Sequence, residues 1–136
     1  MFKGRIMLIF GHKFIPSESF YHVTNIDAIH HTPPSSTIYL DFSEDNLDII
    51  NHATANGVKM ALKVSNVTEV LYASSLESSF IVVSEELAKT AQSIADNYLF
   101  DAKILVMIDN YEVIEELALL GVDGVICSNA IIKTIS

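Results

Sequence analysis

Only one cysteine, Cys127, and only eight lysines and arginines occur in 136 residues. A single thiol excludes an internal disulfide framework and fits a reducing compartment, so a cytoplasmic location is expected. Seventeen acidic side chains leave a formal charge of -9 and a pI near 4.8. That field repels phosphate backbones and anionic lipid, and the few basic residues are scattered, so neither nucleic acid nor membrane is an expected partner. Long apolar runs are absent too, and nothing approaches the roughly 18 residues of a membrane span. The opening "MFKGRIMLIFGHKF", with Lys3 and Arg5, imitates a signal peptide. Its apolar run stops after about five residues where an h-region needs roughly seven, so it reads as a first strand. No linker, low-complexity segment or charge block divides the chain, and residues 1–136 are expected to form one domain.

Half of the chain is hydrophobic, enough for a substantial core. From residue 37 a unit repeats: apolar strand, capping residue, amphipathic helix, then a glycine or polar turn. "TIYLDF" (37–42) leads to Ser43 as a cap, and Gly57 stops the helix that follows. "VKMALKVS" (58–65) leads to Asn66, with Glu69 at capping-box spacing. "FIVVS" (80–84) leads to Ser84 and a helix whose Leu87, Ala91, Ile94, Ala95 and Tyr98 share one face. "AKILVMID" (102–109) and a helix closed by Gly121 come next, and "DGVICS" (123–128) with "NAIIKTIS" makes the last unit. The first unit breaks the rhythm: between "RIMLIF" (5–10) and residue 37 the only helical candidate is a short "NIDAIHH" after Thr24. A connection of that length in a compact domain is often functional.

Strands apolar on both parities, separated by helices, imply an α/β fold with a parallel sheet. The first expectation is a three-layer, doubly wound domain with flavodoxin-like or Rossmann-like layering. The alternative is a partial (βα) barrel completed by a second copy, since six units are fewer than the eight usual for closure. The segment "LALLGVDGVICSNAI" resembles the closing βα units of TIM-barrel enzymes, where a helix ending before a glycine feeds a strand and then a phosphate-binding turn. The whole chain resembles small bacterial α/β proteins that carry no assigned activity.

In parallel sheets ligands bind beyond the carboxyl ends of the strands, where loops and free N–H groups converge. Those ends offer Gly11, His12 and Lys13, then Asp41, Lys63, Ser84 with Glu85, Asp109 with Asn110, and Ser128 with Asn129. Period-two alternation puts Tyr39 and Asp41 on one strand face and Lys59 and Lys63 on one face of another. Lys63, Asp41 and His12 are the candidate catalytic groups, with Lys63 as nucleophile or base and His12 in proton transfer beside Asp41. Lys13, Asp109, Ser128 and Asn129 are the candidate ligand contacts, the last two as openers of a final helix. Each also has a plain structural use, as ion-pair partner, cap or solvated loop residue.

Neither G-x-G-x-x-G nor a P-loop is present, so nucleotide binding by those routes is unsupported and no cofactor is indicated. Neighbours His30 and His31 point about 100° apart on a helix, and with His22 they form no metal-ligand pattern. Cys127 sits within an apolar strand as a small hydrophobe. Three functions follow as expectations. The first is binding of a small anionic metabolite at the strand ends. The second is a lyase- or hydrolase-type activity using Lys63 or His12 with Asp41 and Asp109. The third is an oligomeric or interaction role, since Leu119, Leu120, Ile131, Ile132 and Ile135 add apolar surface near the C-terminus.

Overall fold

A run of residues that is apolar on both parities must be covered on both faces, and this chain covers its two sheet faces differently. The computed structural model describes residues 6–134; Lys3, Arg5 and Ile135 lie outside them. Eight strands form one sheet: β1 (Leu8–Phe10), β2 (Phe20–His22), β3 (Thr37–Asp41), β4 (Lys59–Lys63), β5 (Phe80–Val83), β6 (Lys103–Ile108), β7 (Gly124–Cys127) and β8 (Ile131–Lys133). Every pairing is parallel, and the order is β1-β7-β6-β5-β4-β3-β2-β8. Five helices accompany them: α1 (Ile26–Ile29), α2 (Leu47–Ala55), α3 (Val67–Ser75), α4 (Glu85–Asn97) and α5 (Ile114–Leu120).

The alternating architecture and parallel sheet are those expected, and the layering is that of the partial barrel. Strands β2 to β7 follow one another without reversal, so successive right-handed crossovers place their helices on one face. A doubly wound sheet needs a reversal within that run, and β2 to β7 contain none. The second face is covered by curling. Strands β7 and β8 stand six places apart, roughly 29 Å in a flat sheet. They are joined by the single 3-10 turn Ser128–Ala130, which reaches at most about 14 Å between strand ends. The sheet therefore bends into a half-barrel whose edges approach each other.

The concave interior confirms the bend. Phe10, Phe20, Tyr39, Ala61, Val82, Leu105 and Ile126 form one buried cluster drawn from seven strands. The rings of Phe10, Phe20 and Phe80 lie 5.0, 5.2 and 5.6 Å apart although their strands are first, seventh and fourth in the order. Edge-on and tilted packing of this kind adds about 0.5–1.5 kcal/mol per pair beyond burial. On the convex side Ile38, Leu40, Leu62, Ile81, Val83, Ile104 and Val106 meet Ile49, Ile50, Val70, Ala73, Ala88 and Ala91 of the helices. Alternation along each strand thus supplies two cores.

Caps fix where the helices start. Asn66 Oδ1 accepts from Glu69 N at 2.9 Å, and Glu69 Oε1 reaches back past the cap to accept from Ser65 N at 2.8 Å, a variant of the box at the head of α3. Ser43 Oγ accepts from Asp45 N, and Asn110 Oδ1 from Glu112 N. At α1 the cap is Asn25, the first residue after Thr24, whose Oδ1 accepts from Ala28 N at 2.8 Å. Two segments differ from expectation. "FYH" forms β2, which shortens the long first connection to residues 11–19 and adds a strand to the sheet. The tail after Asn129 forms β8 rather than a helix, because the β-branched pair Ile131 and Ile132 suits a strand and β2 offers a free edge.

Candidate functional site

All strands point one way, so their carboxyl ends share one rim, and each helix begins there. The structure gathers part of the expected set on that rim. Lys63 closes β4, half-buried, and its Cα partners in the sheet are Asp41 on β3 and Val82 on β5. Alternation from Ala61, which lies in the concave cluster, turns Lys63 toward the mouth of the half-barrel. A hollow of about 440 Å³ opens beside it, lined by Lys63, Ser84, Glu85, Glu86, Met107 and Asp109. Three adjacent strand ends, β4, β5 and β6, thereby contribute an ammonium, a hydroxyl and a carboxylate to one space.

Ser84 was expected to cap α4. It occupies the cap position with extended backbone, but its side chain makes no capping bond, so its hydroxyl is left for the hollow. Asp109 is likewise not a cap, since Asn110 takes that task. Among the described residues the Lys63 ammonium has no ion pair or hydrogen bond, and no ion pair joins it to Asp41. Asp41 is exposed, and its backbone oxygen accepts from Asn46 Nδ2 at 2.8 Å. Tyr39, two residues earlier on the same face, has its phenol pushed up to about 12 by burial and then by the Asp41 charge. Its hydroxyl stays neutral at ordinary pH.

His12 and Lys13 sit elsewhere on the rim than expected. Because β1 pairs with β7 next to β6, the His12 ring lies 4.1 Å from Tyr111, which follows β6, and its ring contacts are with Tyr111 and Phe14 rather than Asp41. Lys13 Nζ lies 5.3 Å from the Phe14 ring and is exposed. Ser128 and Asn129 open no helix; they form the 3-10 turn between β7 and β8. Asn129 Nδ2 donates to Gly11 O at 2.7 Å, so it anchors the loop after β1. Gly11 itself, at φ +91, has no room for a Cβ, which would meet Asn129 Oδ1 at 2.9 Å. Cys127 is buried, and burial pushes its thiol up.

Glu86, Met107 and Tyr111 join the rim without having been singled out in the sequence. The signal for Met107 was there, since Leu105, Met107 and Asp109 alternate onto one face. The rim is acidic as a whole. Asp27, Glu44, Asp45, Glu69, Glu85, Glu86 and Glu112 all fall in first turns, where they complement the helix dipole. Two larger hollows, about 560 and 460 Å³, lie at the amino end of the sheet. The first has Lys59 without a carboxylate and the second has Glu77 and Asp101 without a cation, so neither gathers the mixed chemistry of the strand ends. Among the described residues no group of three or more His, Cys, Asp and Glu is placed to hold a metal, although His30 and His52 come within 6.2 Å. No described helix is long and apolar enough to cross a membrane.

A scan against protein-family models finds no match, and no curated protein matches the sequence. Functional inference therefore rests on the site.

Proposed function

We propose that the chain is a small-molecule binding domain that takes an anionic metabolite over the carboxyl ends of β4, β5 and β6. The observation that carries this reading is the Lys63 ammonium, which makes no ion pair or hydrogen bond among the described residues, in a hollow it shares with Ser84, Glu85, Glu86 and Asp109. A half-buried charge is partly desolvated, and an anionic ligand restores the partner that water no longer fully supplies. Ser84 can donate or accept, whereas Asp109 and Glu85 accept only, so the ligand must bring hydrogen-bond donors as well as its charge. The acidic first turns disfavour a second anionic group. We infer a cytoplasmic setting as well, a reading that the one free, buried cysteine supports.

Thermal shift against sugar phosphates, keto acids and other small carboxylates tests it. A ligand at a hundredfold excess over Kd stabilises the native state by about 2.7 kcal/mol. The reading expects at least one anion to raise Tm in the wild type and to lose its effect in Lys63→Ala. A shift that persists undiminished in Lys63→Ala would place the site elsewhere.

A second reading is favoured by surface composition. Leu99 and Leu119 are 85% and 83% exposed, and the helices that lead to them both end at the amino end of the sheet, away from the hollow. Self-association through that end would remove apolar area from water without closing the rim. Sedimentation equilibrium is expected to give a dimer that Leu119→Glu dissociates; a wild-type monomer at high concentration would end this reading.

A further inference from the structure

The rim carries an aromatic surface next to the hollow. Tyr111 stands two residues beyond Asp109, and its ring plane is tilted 35° from that of His12 at a centroid distance of 4.1 Å. Phe14 lies 5.1 Å from His12. Phe14 is 76% and Tyr111 41% exposed, so ring area is left facing water at a site where loops converge. The loop that carries His12 and Phe14 is held in place by hydrogen bonds. His12 Nδ1 accepts from Phe14 N at 3.1 Å, Gly11 N donates to Ser17 Oγ at 3.0 Å, and Asn129 Nδ2 holds Gly11 O. An exposed ring fixed in this manner loses little conformational freedom when it is covered.

We propose that the ligand is a monosaccharide bearing one anionic group, with its ring laid against Tyr111 and His12 and its anionic group at Lys63. This inference rests on the ligand reading above and narrows it. A sugar presents C–H groups on its faces and hydroxyls around its edge. The faces suit an aromatic surface, and the hydroxyls suit acceptor-only carboxylates such as Asp109 and Glu85. The single ammonium matches a single phosphate or carboxylate, and the acidic first turns repel the polyphosphate of a nucleotide.

Isothermal titration of the full chain with glucose 6-phosphate and with glucuronate distinguishes phosphate from carboxylate, and citrate and inorganic phosphate serve as non-sugar anions. The proposal expects one of the two sugar anions to bind and both non-sugar anions to bind far more weakly. Tyr111→Ala should weaken the sugar anion roughly tenfold while Tyr111→Phe, which keeps the ring, stays near wild type. Saturation-transfer NMR should label the sugar ring C–H protons most strongly, and amide spectra confirm that each variant is folded. Equal binding of non-sugar anions, lost in Lys63→Ala but indifferent to Tyr111→Ala, would overturn the sugar assignment and leave the anion site standing. Absence of any Lys63-dependent binding would overturn both.

Discussion

Tyr39 shows how one side chain can serve both the core and the rim. Its ring fills the concave face between Phe20 and Ala61, and its register partner on β2 is His22, whose ring lies 5.5 Å away edge-on. Burial and the Asp41 charge both oppose ionisation of its phenol, hence the shift to about 12. In the unfolded chain the same phenol titrates near 10, so the unfolded state loses its proton first as pH rises. The stabilisation is fully present below about pH 10 and falls away between about 10 and 12, by roughly 2–3 kcal/mol in all. Ultraviolet titration should find Tyr39 ionising late. Urea unfolding of Tyr39→Phe should lack the part of the alkaline loss that this phenol causes. Unfolding curves for wild type and Tyr39→Phe that decline in parallel above pH 10 would remove the assignment. At this scale much was legible: alternation alone put Tyr39 with Asp41 and fixed Lys63 at a strand end. The partners of His12 were not, because a side chain on a loop is placed by whichever strand pairs beside it, and β1 pairs with a strand 116 positions further on, Phe10 with Ile126.

At the scale of elements, β1 and β7 illustrate a constraint that composition hides. Gly124 opens β7 opposite Leu8, and a Cβ there would lie 2.6 Å from the Leu8 carbonyl oxygen and 2.7 Å from the Leu8 Cβ. Glycine at this position lets the two strands meet. Asp123, just before it, donates and accepts around the same corner: its backbone oxygen accepts from Leu8 N and its Oδ2 accepts from Ile104 N, each at 2.9 Å. Its own N–H donates to the buried Gln92 at 2.8 Å. Gly124→Ala is therefore expected to destabilise by about 2–4 kcal/mol, in the range of overpacked cores and strained backbone. Gly57→Ala, which meets nothing within 4 Å and bears only a positive φ of 67°, should cost about 1 kcal/mol. Comparable losses in urea would contradict the steric account. The strand cores and the five helices were readable because caps, stops and apolar runs are local signals. Strand β2 was not, since "FYH" is three residues long and precedes a polar turn. The tail differs for the opposite reason: "SNAI" matches a helix opening locally, and the free edge of β2 together with Ile131 and Ile132 decides for a strand.

For the whole molecule, curvature is the property that converts a small chain into one with a mouth. The six-unit alternation left two layerings open, and the choice between them depends on strand order, which no local pattern contains. Once β7 and β8 are tied by one short turn, the sheet must bend, its concave face must be filled by its own side chains, and the strand ends must ring a common space. Lys63, Ser84 and Asp109 come together for that reason and not through nearness in sequence. The amide spectrum of the labelled protein during titration with glucose 6-phosphate tests this account most directly. The account predicts shifts that concentrate at residues 63, 84–86 and 109–111, saturate with ligand, and vanish in Lys63→Ala. Saturable shifts confined instead to the amino end of the sheet, around Pro33, Pro34 and Lys59, would contradict it.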